Sequence, residues 1–152
     1  MEELLGHVRG YGRRDVETGG LLITRPREAG VAVLALAGSA GIQRQRGLFV
    51  ITMPALDAIF TYAEDRDLQV RAMFHSHKHR AFMSSTDRRS GLNAQGFIST
   101  IIPTYTDPPP DPSQWGWWRY EKDWHPTSPA VADQALSSTK IITFDAGGVL
   151  EH

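Results

Sequence analysis

The chain has 152 residues, 16 Lys+Arg against 17 Asp+Glu, and no cysteine. That length suits one domain with one sizeable core, and a formal charge of −1 provides no basic field to recruit nucleic acid or anionic lipid. Without cysteine there are no disulfides, thiol nucleophiles or thiolate metal sites, so any metal must be held by His, Asp or Glu.

The start, Met1-Glu2-Glu3, is acidic and lacks a signal-peptide core, and no run approaches the roughly 20 apolar residues of a membrane span, so the expected location is the cytoplasm. Leu4, Leu5, Val8 and Tyr11 fall at helical spacing and predict a short amphipathic helix that stops at Gly12. Behind Glu17-Thr18-Gly19-Gly20, the runs Leu21 to Thr24 and Val31 to Leu36 read as a hairpin. A polar connection, Gly38 to Gly47, leads to a short strand, Leu48 to Ile51. Pro54 suits the first turn of a helix that buries Ile59, Phe60 and Ala63 and ends near Asp67.

Leu68 to Phe74 is the next expected strand, with His75 and His77 at its C-terminal end. Asp87 to Ala94 reads as a short helix with Ser84 or Ser85 near its N-cap. A strand over Phe97 to Tyr105 precedes a proline-rich loop, Thr106 to Pro112, which cannot pair in a sheet. Trp115 to Tyr120 resumes as an aromatic strand whose tryptophans suit either packing or a stacking platform. A last helix over Pro129 to Leu136 and a last strand over Lys140 to Phe144 complete a mixed α/β domain of residues 1–145. Residues 146–152 read as a flexible tail, with Leu150-Glu151-His152 as an expression-tag remnant.

The stretch "MFHSHKHRAFMSSTDRRSG" carries the chemistry. Side chains at i and i+2 of a strand leave the same face, so His75 and His77 can converge on one ion. A carboxylate on the first turn of the following helix, Asp87, completes a His, His, Asp set, the three-ligand plan of a catalytic zinc site with one open position. The same residues also fit a solvated strand end followed by an ordinary helix start. His79 extends the alternation and either joins the set or faces solvent.

Glu17 in "ETGGLLITR", "HSH" at a strand end and the serine of "SSTD" three residues before Asp87 resemble the MPN domain of the JAMM metalloprotease family, across roughly residues 2–144. The compact prokaryotic members are the most similar in layout. The resemblance implies a single α/β MPN domain, a curved mixed β-sheet flanked by helices and related to cytidine deaminases. Deaminase chemistry itself, which needs cysteine-ligated zinc, is excluded by the composition.

Residue by residue, the resemblance implies His75, His77 and Asp87 as zinc ligands, Glu17 as the acid/base that holds the metal-bound water, and Ser84 as the group beside the reacting carbonyl. It implies a zinc metallopeptidase cutting next to the C-terminal glycine of a ubiquitin-like or sulfur-carrier protein. Two departures stand out. Lys78 occupies the place after the second histidine where the family carries proline, and only six residues separate His77 from Ser84, one fewer than the family pattern. Ser85 keeps the histidine spacing and Ser84 keeps the aspartate spacing. An inactive MPN-like scaffold and a metal hydrolase of a small amide fit the same residues. His7 lies on the first helix facing the Glu17 turn.

Overall fold

The computed structural model describes residues 1–129 and 139–152. Its elements run α1 (Glu2–Gly12), β1 (Gly19–Thr24), β2 (Val31–Ala37), β3 (Ile42–Gln45), β4 (Leu48–Ile51), α2 (Met53–Asp65), β5 (Gln69–Ser76), α3 (Ser85–Ser90), β6 (Ile98–Ile102), β7 (Gly116–Tyr120), β8 (Trp124–Pro126), β9 (Lys140–Asp145) and β10 (Gly148–Glu151). Eight strands form one mixed sheet in the order β10-β9-β2-β1-β5-β6-β7-β8, and β3 with β4 makes a separate hairpin. β1 pairs antiparallel with β2 and β5, while β9 joins β2, and β6 joins β5, in parallel.

β1 is buried at all six positions because both sheet faces are covered. Leu22 turns to the face packed by Leu4, Leu5 and Val8 of α1, with Phe74, Ile98 and Trp117. Leu21 and Ile23 turn to the other face, where Ala55, Ile59 and Tyr62 of α2 meet Phe49 and Ile51 of the hairpin. α1 and α2 each bury one apolar stripe, and the acids Glu2 and Glu3 stand where the N-terminal dipole of α1 favours them. Among the described residues no helix is long and apolar enough to cross a membrane.

Several sequence expectations are corrected. The connection from Gly38 to Gly47 contains β3, whose single apolar residue, Ile42, gives no strand signature; Arg44 on it turns inward instead, donating to the carbonyls of Ala37 and Gly38. The strand expected to reach Tyr105 stops at Ile102, because Pro103 has no N–H to pair and Thr104 adopts φ +51°. The helix expected over Asp87 to Ala94 is shorter and earlier, Ser85–Ser90. Residues 146–152 are no loose tail: β10 pairs antiparallel with β9 across the Ala146-Gly147 turn, which the Asp145 carboxylate caps by accepting Gly147 N–H at 2.8 Å. Glu151 then meets Lys140 Nζ at 2.8 Å and accepts the Tyr62 hydroxyl at 3.1 Å. The helix expected over Pro129 to Leu136 falls, apart from Pro129, outside the described residues.

Candidate metal centre

The site is assembled where β1 begins beside the end of β5. Met73 faces the α2 side of the sheet, so alternation sends His75 the same way, and its ring stacks on Phe49 with centroids 6.4 Å apart. His77 follows just past the strand, held by its N–H to Ile102 O at 2.9 Å and by its carbonyl accepting Tyr105 N–H at 3.0 Å. Across the ladder, Gly19 pairs with His75. A Cβ there would stand 2.2 Å from the Phe74 carbonyl oxygen and 2.7 Å from the Phe49 ring, so only glycine passes. Glu17 sits two residues earlier, its N–H bonded to Gln45 O of β3 at 2.9 Å.

Glu17, His75 and His77 are only 4%, 2% and 6% exposed. One potential ligand atom from each lies within 4.8 Å of the others, so this buried group could hold a metal ion. Asp87 closes the cluster from α3, with Oδ1 3.2 Å from His75 Nε2 and Oδ2 3.2 Å from His77 Nε2. A capping box aims it: Ser84 Oγ accepts Asp87 N–H at 3.1 Å, and Asp87 Oδ2 accepts Ser84 N–H at 3.0 Å. The His75–Asp87 approach is close but not aligned as a hydrogen bond, so both ring nitrogens of His75, and Glu17 Oε2, lack hydrogen-bond partners despite burial. Orphaned buried donors and acceptors are costly. A cation shared by these N and O atoms would remove that cost, and imidazole plus carboxylate is a donor set that several divalent metals accept.

The electrostatics agree with a site that wants positive charge. Burial raises the Glu17 pKa to about 8, with His77 pulling it down and Asp87 pushing it up. Burial would raise Asp87 as well, but the nearby His75 imidazole, the hydrogen bond from His77 and the Ser84 N–H hold it below the usual carboxylate range. For His77 burial acts downward and is outweighed by Asp87 and Glu17, so its net shift is upward.

The cluster opens into a cleft of about 200 Å³ lined by Glu17, His77, Ser84, Phe82 and a basic rim. Ser84 thus shares the cleft with Glu17, and it is also the N-cap of α3. Ser85, which could equally have capped the helix, is its exposed first residue, because only Ser84 keeps the three-residue spacing to Asp87 that a capping box needs. His79 is exposed on the rim and not in the cluster. Phe82, 53% exposed and edge-on to His77 at 5.1 Å, and Arg46 on the opposite wall escaped the sequence reading; nothing in their local pattern marks them.

Behind Glu17, the Thr18 hydroxyl meets His7 Nε2 at 2.9 Å and accepts from Arg44 Nε at 3.0 Å, while Ser76 N–H bonds Thr18 O at 2.9 Å. These contacts pin the backbone beside Glu17 from three elements. The tryptophans serve packing: Trp115 and Trp117 stack and dock the proline-rich loop through indole N–H bonds to Pro109 O and Pro112 O, both at 2.8 Å.

No family model matches this chain, and no curated protein does. The fold is shared with the solution structure of protein DSY2949 from Desulfitobacterium hafniense, with a TM-score of 0.61 at 18% identity over 94% of this chain and 87% of that one. At that identity the likeness concerns fold alone, a mixed α/β architecture with a large sheet flanked by helices.

Proposed function

We propose that this chain is a zinc-dependent metallopeptidase of the MPN/JAMM type, with the cytidine deaminase-like fold of that family. Its substrate would be a peptide or isopeptide amide next to the C-terminal glycine of a ubiquitin-like or sulfur-carrier protein. One observation carries the reading: Glu17, His75 and His77 bring ligand atoms within 4.8 Å of one another in a buried cluster, Asp87 stands 3.2 Å from both imidazoles, and Glu17 Oε2 and both His75 ring nitrogens have no hydrogen-bond partner.

In this reading His75, His77 and Asp87 would hold a zinc ion, which would supply Lewis acidity to make water ionisable near neutral pH. Glu17, kept ionised by the nearby cation, would take a proton from the attacking water and deliver it to the leaving amine. Ser84 Oγ accepts Asp87 N–H, so its own hydrogen is left to donate to the carbonyl oxygen as negative charge develops there. Phe49 and Phe82 shield the histidines from bulk water.

Emission spectroscopy on protein purified without added zinc tests the metal. The expected result is a single zinc per chain and a melting temperature that falls with chelator, both lost in His75→Ala and Asp87→Ala. Metal-free protein whose melting ignores zinc and chelator alike would contradict the reading.

A further inference from the structure

The cleft mouth carries a charge pattern that zinc chemistry leaves unused. Of its nine lining residues three carry full positive charge, Arg46, Lys78 and Arg80, two more are histidines, His77 and His79, and the sole acid is Glu17. The whole chain has a formal charge of −1, so this concentration is no by-product of a basic protein. The cations come from both walls, Arg46 from the turn between β3 and β4, Lys78 and Arg80 from the loop leaving β5.

Asp15, outside the lining, bridges these walls. Its Oδ1 lies 3.0 Å from Lys78 Nζ, and its Oδ2 accepts Arg46 Nε at 2.6 Å. The Tyr105 hydroxyl donates to Oδ1 at 2.6 Å and fixes the carboxylate in place. One carboxylate therefore serves two cations, and the Arg80 guanidinium makes no ion pair among the described residues. The rim keeps an excess of positive charge, focused over a cleft with low-dielectric walls. Asp15 also displays the contact that an incoming carboxylate would share, and Phe82 offers an apolar surface beside it.

We infer that the cleft selects an acidic peptide, one with a carboxylate next to the amide seated over Glu17 and His77, gripped by Arg80 with Lys78 and Arg46. Calling that peptide a substrate rests on the metallopeptidase reading; its binding does not.

The test is an NMR titration of the full chain, metal-free and zinc-loaded, with three probes: N-acetyl-Gly-Gly-Glu-amide, the neutral N-acetyl-Gly-Gly-Gln-amide, and N-acetyl-Gly-Gly-Gln with a free α-carboxylate. At least one acidic probe should bind about three- to tenfold tighter than the neutral one, with shifts at residues 78–82, and the better of the two identifies side-chain or α-carboxylate as the source. The preference should shrink at high salt, disappear in Arg80→Gln and grow in Asp15→Asn, where a competing carboxylate is removed. Opposite signs from substitutions at the exposed Arg80 and the half-buried Asp15 exclude a general loss of structure. Equal binding of all three probes, or a preference untouched by both substitutions, would overturn the inference. If the chain binds zinc yet shows no preference, this inference alone fails; if it prefers acid yet binds no zinc, only the metallopeptidase reading fails.

Discussion

The Nδ1 atom of His77 lies 3.1 Å from the carbonyl oxygen of Arg80. A carbonyl only accepts, so Nδ1 carries hydrogen and Nε2 is turned toward Glu17 and Asp87. In the metal-free chain Asp87 Oδ2, itself an acceptor, stands 3.2 Å from Nε2, an approach that needs a proton or a metal between them. The zinc-loaded protein should therefore show His77 as the Nδ1–H tautomer with Nε2 as ligand, read from imidazole nitrogen chemical shifts. The opposite tautomer would contradict the ligand assignment.

Glu17 gives the second prediction. Its folded pKa, about 8, lies above its ordinary value of 4.5. The folded metal-free chain thus keeps a proton that the unfolded chain gives up. This contribution to stability is complete below about pH 4.5 and is lost as pH rises through about 8. A zinc ion nearby favours the ionised carboxylate, so apparent zinc affinity should climb with pH and level off above about 8. Calorimetric titrations at several pH values check the slope, and Glu17→Gln should flatten it.

Much of the site was legible because its spacing is local. "HSH" at a strand end and Asp87 at a helix start follow from period-2 alternation and N-cap chemistry, and the structure places them together. The choice between Ser84 and Ser85 was not legible, since it depends on which end of a shortened loop keeps its register. β3 was hidden because Arg44 binds carbonyls that sequence cannot place beside it. β10 was hidden because its pairing depends on Asp145 closing a turn at a segment set aside as tail. The cleft rim needs two loops brought together, and Asp15, at φ +58°, gives no sign in sequence that it would bridge them.

His7 supplies a third prediction, away from the metal. Burial and then the Arg44 charge lower its pKa to about 4, against a Gly19 backbone hydrogen bond that raises it. Because the folded pKa is depressed, the stability it reports is present above about 6.5 and is lost as pH falls through about 4. The full loss is on the order of 3 kcal/mol. Denaturant unfolding at pH 7 and pH 4.5 should show this decline in the wild type, and His7→Gln should reduce it.

Gly19→Ala should destabilise the fold by about 3 kcal/mol, since overpacking against backbone cannot be relieved by a rotamer change. The added methyl would meet the Phe74 carbonyl and the Phe49 ring that stacks on His75. A lower unfolding midpoint with an unchanged denaturant slope is the expected signature.

Cleavage itself is the most direct test. Wild type, Glu17→Gln and His77→Ala should be compared on a ubiquitin-like protein carrying a C-terminal extension after its terminal glycine, with product followed by mass and zinc by emission spectroscopy. The wild type should release the extension. Glu17→Gln should keep its zinc and lose about 10²- to 10⁴-fold in rate, the usual worth of a general acid/base, while His77→Ala should lose both zinc and turnover. Equal cleavage by wild type and Glu17→Gln, or no cleavage by a fully zinc-loaded wild type that binds the fusion, would contradict the account.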